Sequence, residues 1–162
     1  MNYVITDGIV RKLWGSDAEA YGDHLLRLDA ASRRNRFGGC VADDFIRRHA
    51  AGAFEPENVI YGFLADGILR GAAELRPLGP NAGRAEAAFS IERSWQSHGV
   101  GTELLERTLL AARNRGISNC TSPASRRTGA CSSWRANSMP NCGATTIASS
   151  ARSKPPTRRR CR

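Results

Sequence analysis

The sequence predicts an α+β domain in which a mixed, mostly antiparallel sheet is flanked by helices in a sandwich-like arrangement. Three observations predict it. Two β-rich runs, Val59 to Leu64 and Ile68 to Leu75, are separated by Ala65-Asp66-Gly67, and Asp-Gly between such runs is the strongest short-range signal for a hairpin of antiparallel strands. Ahead of that hairpin, Tyr21, Leu25 and Leu28 recur at helical spacing. Behind it, a strand-like run from Arg84 to Ile91 leads through a glycine-containing loop to Val100, Leu104, Thr108, Ala111 and Ala112, which mark one side of an amphipathic helix.

The elements follow in order. Gly8 to Leu13 reads as a short strand. Ser16-Asp17-Ala18-Glu19 has the spacing of a capping box, in which Ser16 and Glu19 satisfy each other's backbone donors, so the first helix is expected to start there. Ser32 to Phe37 is expected to form a basic connection. Its Arg33, Arg34 and Arg36 read as a solvated turn, with the path of an acidic substrate as the alternative. Asp43 is placed to cap a second helix carrying Phe45, Ile46 and His49 and ending near Gly52. His24 and His49 fall on predicted helices, where a lone histidine is usually structural or exposed.

After the hairpin, Leu78 to Gly83, with Pro80 and Asn81, reads as a turn into the third strand of this part, Arg84 to Ile91. The next helix begins near Gly101, Gly116 is placed to end it, and Ile117 opens a further strand.

The loop between that strand and helix reads Gln96-Ser97-His98-Gly99-Val100-Gly101. A phosphate held at a helix start needs free backbone N–H groups aimed at it, and glycine removes the Cβ atoms that block close approach. Gly99 and Gly101 supply that clearance. Gln-x-x-Gly-x-Gly after a strand resembles the acetyl-CoA-binding motif of the GNAT N-acetyltransferases, and the element order resembles the GNAT fold from Gly8 to about Ser118.

The resemblance implies acetyl-CoA as co-substrate. Its pyrophosphate would meet the amides of Gln96, Ser97, His98, Gly99, Val100 and Gly101, with the Thr102 hydroxyl added. Its pantetheine arm would lie in a gap between splayed strands, paired with the backbone of Ile91. His98 is expected to face solvent or a phosphate rather than to react. The acceptor implied is an amine, on a small molecule or a protein, attacking directly in a ternary complex.

Attack requires an amine without its extra proton, so some group must take it. Glu86 resembles the strand glutamate that serves as general base in some GNAT enzymes, directly or through water, and burial would help by raising its basicity. The family's general acid is often a tyrosine on a later helix; this chain has Tyr3, Tyr21 and Tyr61, none in that place. The resemblance leaves a homodimer open.

Composition breaks near Asn119. All 15 acidic residues lie at or before Glu106, and an equal number of basic residues leaves residues 1–119 neutral. The nine Lys and Arg of residues 120–162 account for the net charge of +9. Apolar periodicity stops there too. Residues 1–119 therefore read as an acetyl-CoA-binding domain that is incomplete at its C-terminal end, and residues 120–162 as a basic, disordered tail.

The tail also reads as a frameshift product. Codons permitted for Trp134 to Gly143, read one base earlier, give Leu-Ala-Arg-Lys-Leu-Asp-Ala-Glu-Leu-Arg, an amphipathic helix. The same shift over Ser149 to Thr157 gives a strand-like Ile-Gly-Glu-Ile-Glu-Ala-Pro-Tyr. A helix and strands are what the resemblance leaves missing.

Cys120, Cys131, Cys142 and Cys161 are eleven, eleven and nineteen residues apart, which is no zinc-ligand pattern, and no histidine lies near them, so no metal and no disulfide framework is expected. Cys40 reads as a buried small hydrophobe or an exposed loop thiol, the first being commoner. No run approaches a membrane span and Met1 to Gly8 lacks a leader pattern, which predicts a cytoplasmic protein without a membrane partner.

Two other functions stay open. One is a noncatalytic acyl-CoA-binding protein. The other is a basic-tailed protein binding nucleic acid nonspecifically, although the neutral body and the plain Arg158-Arg159-Arg160 run argue against any specific nucleic-acid partner.

Overall fold

Asp66 and Gly67 take φ of 52° and 73°, the pair of positive values that a tight two-residue hairpin turn demands. They join β2 (Val59–Ala65) to β3 (Ile68–Pro77), and around this hairpin the remaining elements assemble. The computed structural model describes residues 8–79, 83–122 and the backbone of 133–135. In chain order the others are β1 (Ile9–Leu13), α1 (Ala18–Arg27), α2 (Ala30–Phe37) and α3 (Asp43–Gly52) before the hairpin. After it come β4 (Arg84–Ile91), α4 (Val100–Asn114), β5 (Asn119–Thr121) and β6 (Ser133–Arg135). The expected α+β architecture is present.

The strands lie side by side in sequence order, all neighbours antiparallel except β4 and β5, which run parallel. Alternation along the strands divides the core in two. Ile60, Leu69 and Ala72 pack beneath α1 and α3 with Tyr21, Leu25, Ile46 and Ala50. On the opposite side, Phe63, Ala73 and Ile91 meet Val100 and Leu104 of α4, while Ala85 and Ala87 meet Ala111 and Ala112. Close approach of α4 depends on Gly71, where a Cβ would sit 3.3 Å from Val100 Cγ1 and 3.4 Å from Ile91 Cγ1.

Three local expectations are corrected. The N-terminal cap is not Ser16 with Glu19: a 3-10 turn over Gly15–Asp17 intervenes, and the Asp17 carboxylate, paired to Arg11 at 2.8 Å, accepts from the Trp14 N–H. Ser32 to Phe37 is not a connection but most of α2, because Asp29 accepts from the Ser32 N–H at 2.8 Å and caps it. Arg36 in that helix is 5% exposed, so it is no solvated turn residue. Asp43 is the first residue of α3, and its cap position is Ala42.

Gly116, at φ 68°, ends α4 as expected. The Ile117 N–H reaches the Ala112 carbonyl and the Gly116 N–H that of Arg113, a Schellman closure. The next strand opens at Asn119 and crosses the position where charge balance changes: Cys120, counted with the tail, is fully buried beside Ala85 and Ala112. Residues 123–132 and 136–162, on which the remaining tail and frameshift expectations fall, lie outside the described residues, as does the Pro80-Asn81 turn. Cys40 is exposed.

Candidate functional site

The loop from β4 to α4 is set by what happens where β4 ends. Arg70 is the extra residue where the β2–β3 register shifts, and this bulge places both its backbone and its side chain against Glu92. The Glu92 N–H donates to the Arg70 carbonyl at 2.9 Å, and its carboxylate accepts from Arg70 at 3.0 Å and Arg27 at 2.9 Å. His24 of α1, fully buried, bridges Glu92 and the Ser90 hydroxyl. Burial pushes the Glu92 carboxyl up, but the His24, Arg27 and Arg70 hydrogen bonds outweigh it and hold the group down at about 2. Burial lowers His24, which is therefore the neutral partner of this cluster.

From that anchor the chain makes a 3-10 turn, Arg93–Trp95, and enters the glycine loop. Trp95 packs on Phe63 with ring centroids 5.5 Å apart, and the Gln96 side-chain amide donates to the Ile91 carbonyl at 3.0 Å. Ser97 and Gly99 take φ of 64° and 82°, with His98 between them at negative φ. Alternating handedness turns successive N–H groups toward one side, the geometry of an anion-binding concavity.

Among the described residues, the N–H groups of Ser97 through Gly101 donate to no backbone acceptor. They lead directly into the positive end of the 15-residue α4. Exposed His98 donates from Nδ1 to the Gln96 carbonyl at 2.7 Å and so braces the loop; Thr102 is exposed in the first helical turn.

Beside the loop, β4 has a flank only partly paired among the described residues. Its parallel ladder with β5 has three pairs, Arg84 with Asn119, Ala85 with Cys120 and Glu86 with Thr121, and then stops. From Ala87 to Ile91, β4 has no partner on that side among the described residues, while β3 covers its other side up to Ile91. A wedge therefore opens from Glu86 toward Ile91 and the loop.

Glu86 is half-buried, and its strand position sends it to the side covered by α1, α2 and α3. It lines a cavity of about 20 Å³ together with Arg36, His49, Glu74, Arg76 and Ala88. Glu74, 3% exposed, organises this cluster. Its Oε2 accepts from Tyr21 Oη at 3.0 Å, from Arg36 Nη2, and faces His49 Nε2 at 3.1 Å, while Oε1 accepts from Arg76 at 2.7 Å. Burial pushes the Glu74 carboxyl up, and the His49 hydrogen bond with the Arg36 and Arg76 charges reverses that to about 2. Burial likewise lowers Arg36, but Tyr21, Glu74 and Glu86 outweigh it and raise the guanidinium. A larger open cavity of about 510 Å³, bounded by Gly52, Glu55, Pro56, Glu57, Asn58 and Arg76, adjoins the small one through Arg76.

The structure thus brings Gln96 to Thr102 and Ile91 together at one end of the wedge and sets Glu86 at the other. Sequence reasoning missed Tyr21, Arg36, His49, Glu74 and Arg76, which come from α1, α2, α3 and β3. Their one local trace is the helical spacing of Tyr21 with Leu25, which marks it as inward-facing. Tyr61 lies half-buried under α4, and Tyr21 is committed to Glu74. No group of three or more metal-ligating side chains comes together among the described residues. Among them, too, no helix is long and apolar enough to cross a membrane.

The Acetyltransferase (GNAT) family model matches residues 23–131. Comparison with curated proteins gives no match. The GNAT domain of S. lividans PAT is similar in structure, with TM-score 0.58 and 22% identity over 70% of this chain and 69% of that one. PaiA N-acetyltransferase from Thermoplasma acidophilum, solved in complex with coenzyme A, gives 0.53 and 19% over 72% and 79%. The ribosomal-protein-S18-alanine N-acetyltransferase from Escherichia coli gives 0.54 and 15% over 71% and 65%. At these identities the structural likeness establishes a shared fold.

Proposed function

Because the chain belongs to the GNAT acetyltransferase family, we propose that it moves an acetyl group from acetyl-CoA to an amine, on a small molecule or a protein in the cytoplasm. The observation that carries this reading is the alternating-handed loop Ser97–Gly99 at the start of α4, beside a flank of β4 that has no partner among the described residues beyond Glu86. Its free N–H groups fit a pyrophosphate, and the bare β4 flank fits the amide-bearing pantetheine arm, which adds to it as a strand would. PaiA N-acetyltransferase, similar in fold, is solved in complex with coenzyme A, which supports CoA as the class of ligand.

In this reading Ser97 to Gly101 bind the diphosphate through backbone N–H groups and Thr102 adds its hydroxyl, while the Gln96 N–H, expected to join them, is held by the Arg93 carbonyl. The Gln96 side chain occupies the Ile91 carbonyl, so pairing to the arm falls on the rest of the flank, with the Ile91 backbone at its end. Acetyl-CoA supplies an activated thioester. The acceptor amine, entering by the cavity that shares Arg76, attacks the acetyl carbonyl carbon as its proton passes to Glu86, directly or through water. The new C–N bond forms, the C–S bond breaks, and the thiol leaves as thiolate, to be protonated by solvent.

The test combines calorimetry with kinetics. Gly99→Val with Gly101→Val removes clearance and strains a position at φ 82°, and CoA binding is expected to vanish while circular dichroism stays that of a folded chain. Unchanged affinity in the folded double variant overturns the cradle. Glu86→Gln is expected to leave CoA affinity intact and slow transfer by about a hundredfold, the low end for a positioned proton acceptor.

A further inference from the structure

At the end of the wedge away from the loop, the sheet sets a carboxylate and a guanidinium side by side. Glu86 on β4 and Arg76 on β3 are partners across the ladder, so their side chains leave the sheet on the same face, with Cβ atoms about 5 Å apart. Resting on the function proposed above, we propose that the acceptor is a free α-amino acid, bound with its amine at Glu86 and its carboxylate on Arg76. Amine and carboxylate of such a molecule hang from one carbon, and a directly opposed cross-strand pair of opposite charge meets both at once.

The neighbours of Arg76 place it for that contact. Its Nη2 donates to Glu74 Oε1 at 2.7 Å, which fixes one corner of the guanidinium, and among the described residues its Nε–H and Nη1–H groups have no acceptor. Its side chain is 44% exposed, against 4% for Glu74, so those remaining donors face the side from which a ligand arrives. A guanidinium held at one corner is a preorganised partner for a carboxylate. Arg76 is also the residue common to the cavity of about 20 Å³, which Glu86 lines, and the open one of about 510 Å³. A molecule entering by the larger cavity therefore meets Arg76 on its way to Glu86.

Charge favours a carboxylate at this place. Arg36 and Arg76 share the small cavity with Glu74 and Glu86, and taking the proton of the amine removes the charge of Glu86. A carboxylate on Arg76 then stands in for the charge that is lost, so the two guanidiniums keep two anions beside them throughout the transfer. A simple alkylamine leaves one of those cations without its counterpart. Glu55 and Glu57 line the larger cavity as well. Both are exposed, so water and salt screen them from a carboxylate in contact with Arg76, but they disfavour an acidic side chain lying beside them. An α-amino acid with a basic side chain fits both conditions.

The experiment uses the full chain, acetyl-CoA and three acceptors with one acylatable amine each: L-arginine, its carboxamide L-argininamide, and agmatine, which is L-arginine without the carboxylate. Per fraction of unprotonated amine, kcat/KM for L-arginine is expected to exceed that of the other two by about tenfold or more, the worth of one charge-assisted hydrogen bond. Arg76→Gln is expected to bring the ratio close to one with CoA affinity unchanged, and Arg76→Lys to keep part of the preference. L-argininamide or agmatine used as well as L-arginine by the parent, a preference undiminished in Arg76→Gln, or transfer to none of the three by a protein that binds CoA overturns the assignment. Calorimetry with L-arginine supplies a measurement independent of turnover: binding to the parent and not to Arg76→Gln is expected, and no binding to the parent overturns the contact. A parent protein that binds no CoA refutes the transferase reading instead, leaving L-arginine binding to decide the contact by itself.

Discussion

Glu74 and Glu92 hold two carboxylates on the side of the sheet covered by α1, α2 and α3, each brought to about 2 from an ordinary 4.5. A carboxyl lowered in the folded state adds stability above its unfolded value, and that stability is lost as pH falls through the folded one. Buried neutral His24 acts earlier: below its ordinary 6.5 the unfolded chain gains a proton that the folded chain refuses. Urea midpoints are therefore expected to fall slightly as pH drops below 6.5, and steeply between 4.5 and 2. Glu74→Gln leaves Arg36 buried and uncompensated and is expected to cost about 3–5 kcal/mol by urea denaturation at pH 7. At this scale the sequence was partly legible. Gly99 and Gly101 mark through spacing alone the loop that turns into α4, whereas the Glu74 cluster joins side chains 53, 38 and 25 residues apart, and no local pattern encodes a meeting over such separations.

Among elements, the hairpin, β4 and α4 were readable because each carries its own period and its own turn residues. Helix α2 was hidden behind Arg33, Arg34 and Arg36, whose charges read as solvated although Asp29 supplies the cap and Arg36 turns inward to Tyr21 and Glu74. The bulge at Arg70 left no trace either, since its purpose, anchoring Glu92, depends on a partner strand. The packing of α4 on β3 makes a clear prediction. Gly71→Val places methyl groups against Val100 and Ile91 and is expected to cost about 1–3 kcal/mol. Because α4 carries the loop at its start, CoA affinity should weaken along with the thermal midpoint. A stable Gly71→Val protein with full affinity would show that α4 has room to spare.

For the molecule as a whole, the charge break at Asn119 does not mark the end of the packed chain, since β5 carries Cys120 into the core. Removing residues 123–162 is expected to retain CoA binding while abolishing retention on a polyanion column, because the cradle and the excess positive charge occupy separate segments. Removing residues 120–162 takes the buried Cys120 as well and should lower the thermal midpoint further. If the alternate frame past Asn119 is the ancestral one, the coding DNA will read through it without an early stop.

The three-pair ladder between β4 and β5 has a consequence for handling the protein that is separate from catalysis. From Ala87 to Ser90 one row of backbone donors and acceptors has no partner among the described residues, and such a row pairs with any extended chain that reaches it, including that of a second molecule. Whatever fills the wedge thus competes with self-association, and if CoA fills it as proposed, free CoA is expected to raise the protein's solubility. At a hundred times its dissociation constant a ligand adds about 2.7 kcal/mol to stability by mass action. Scattering on heating should fall with added CoA over the concentration range in which the melting point rises.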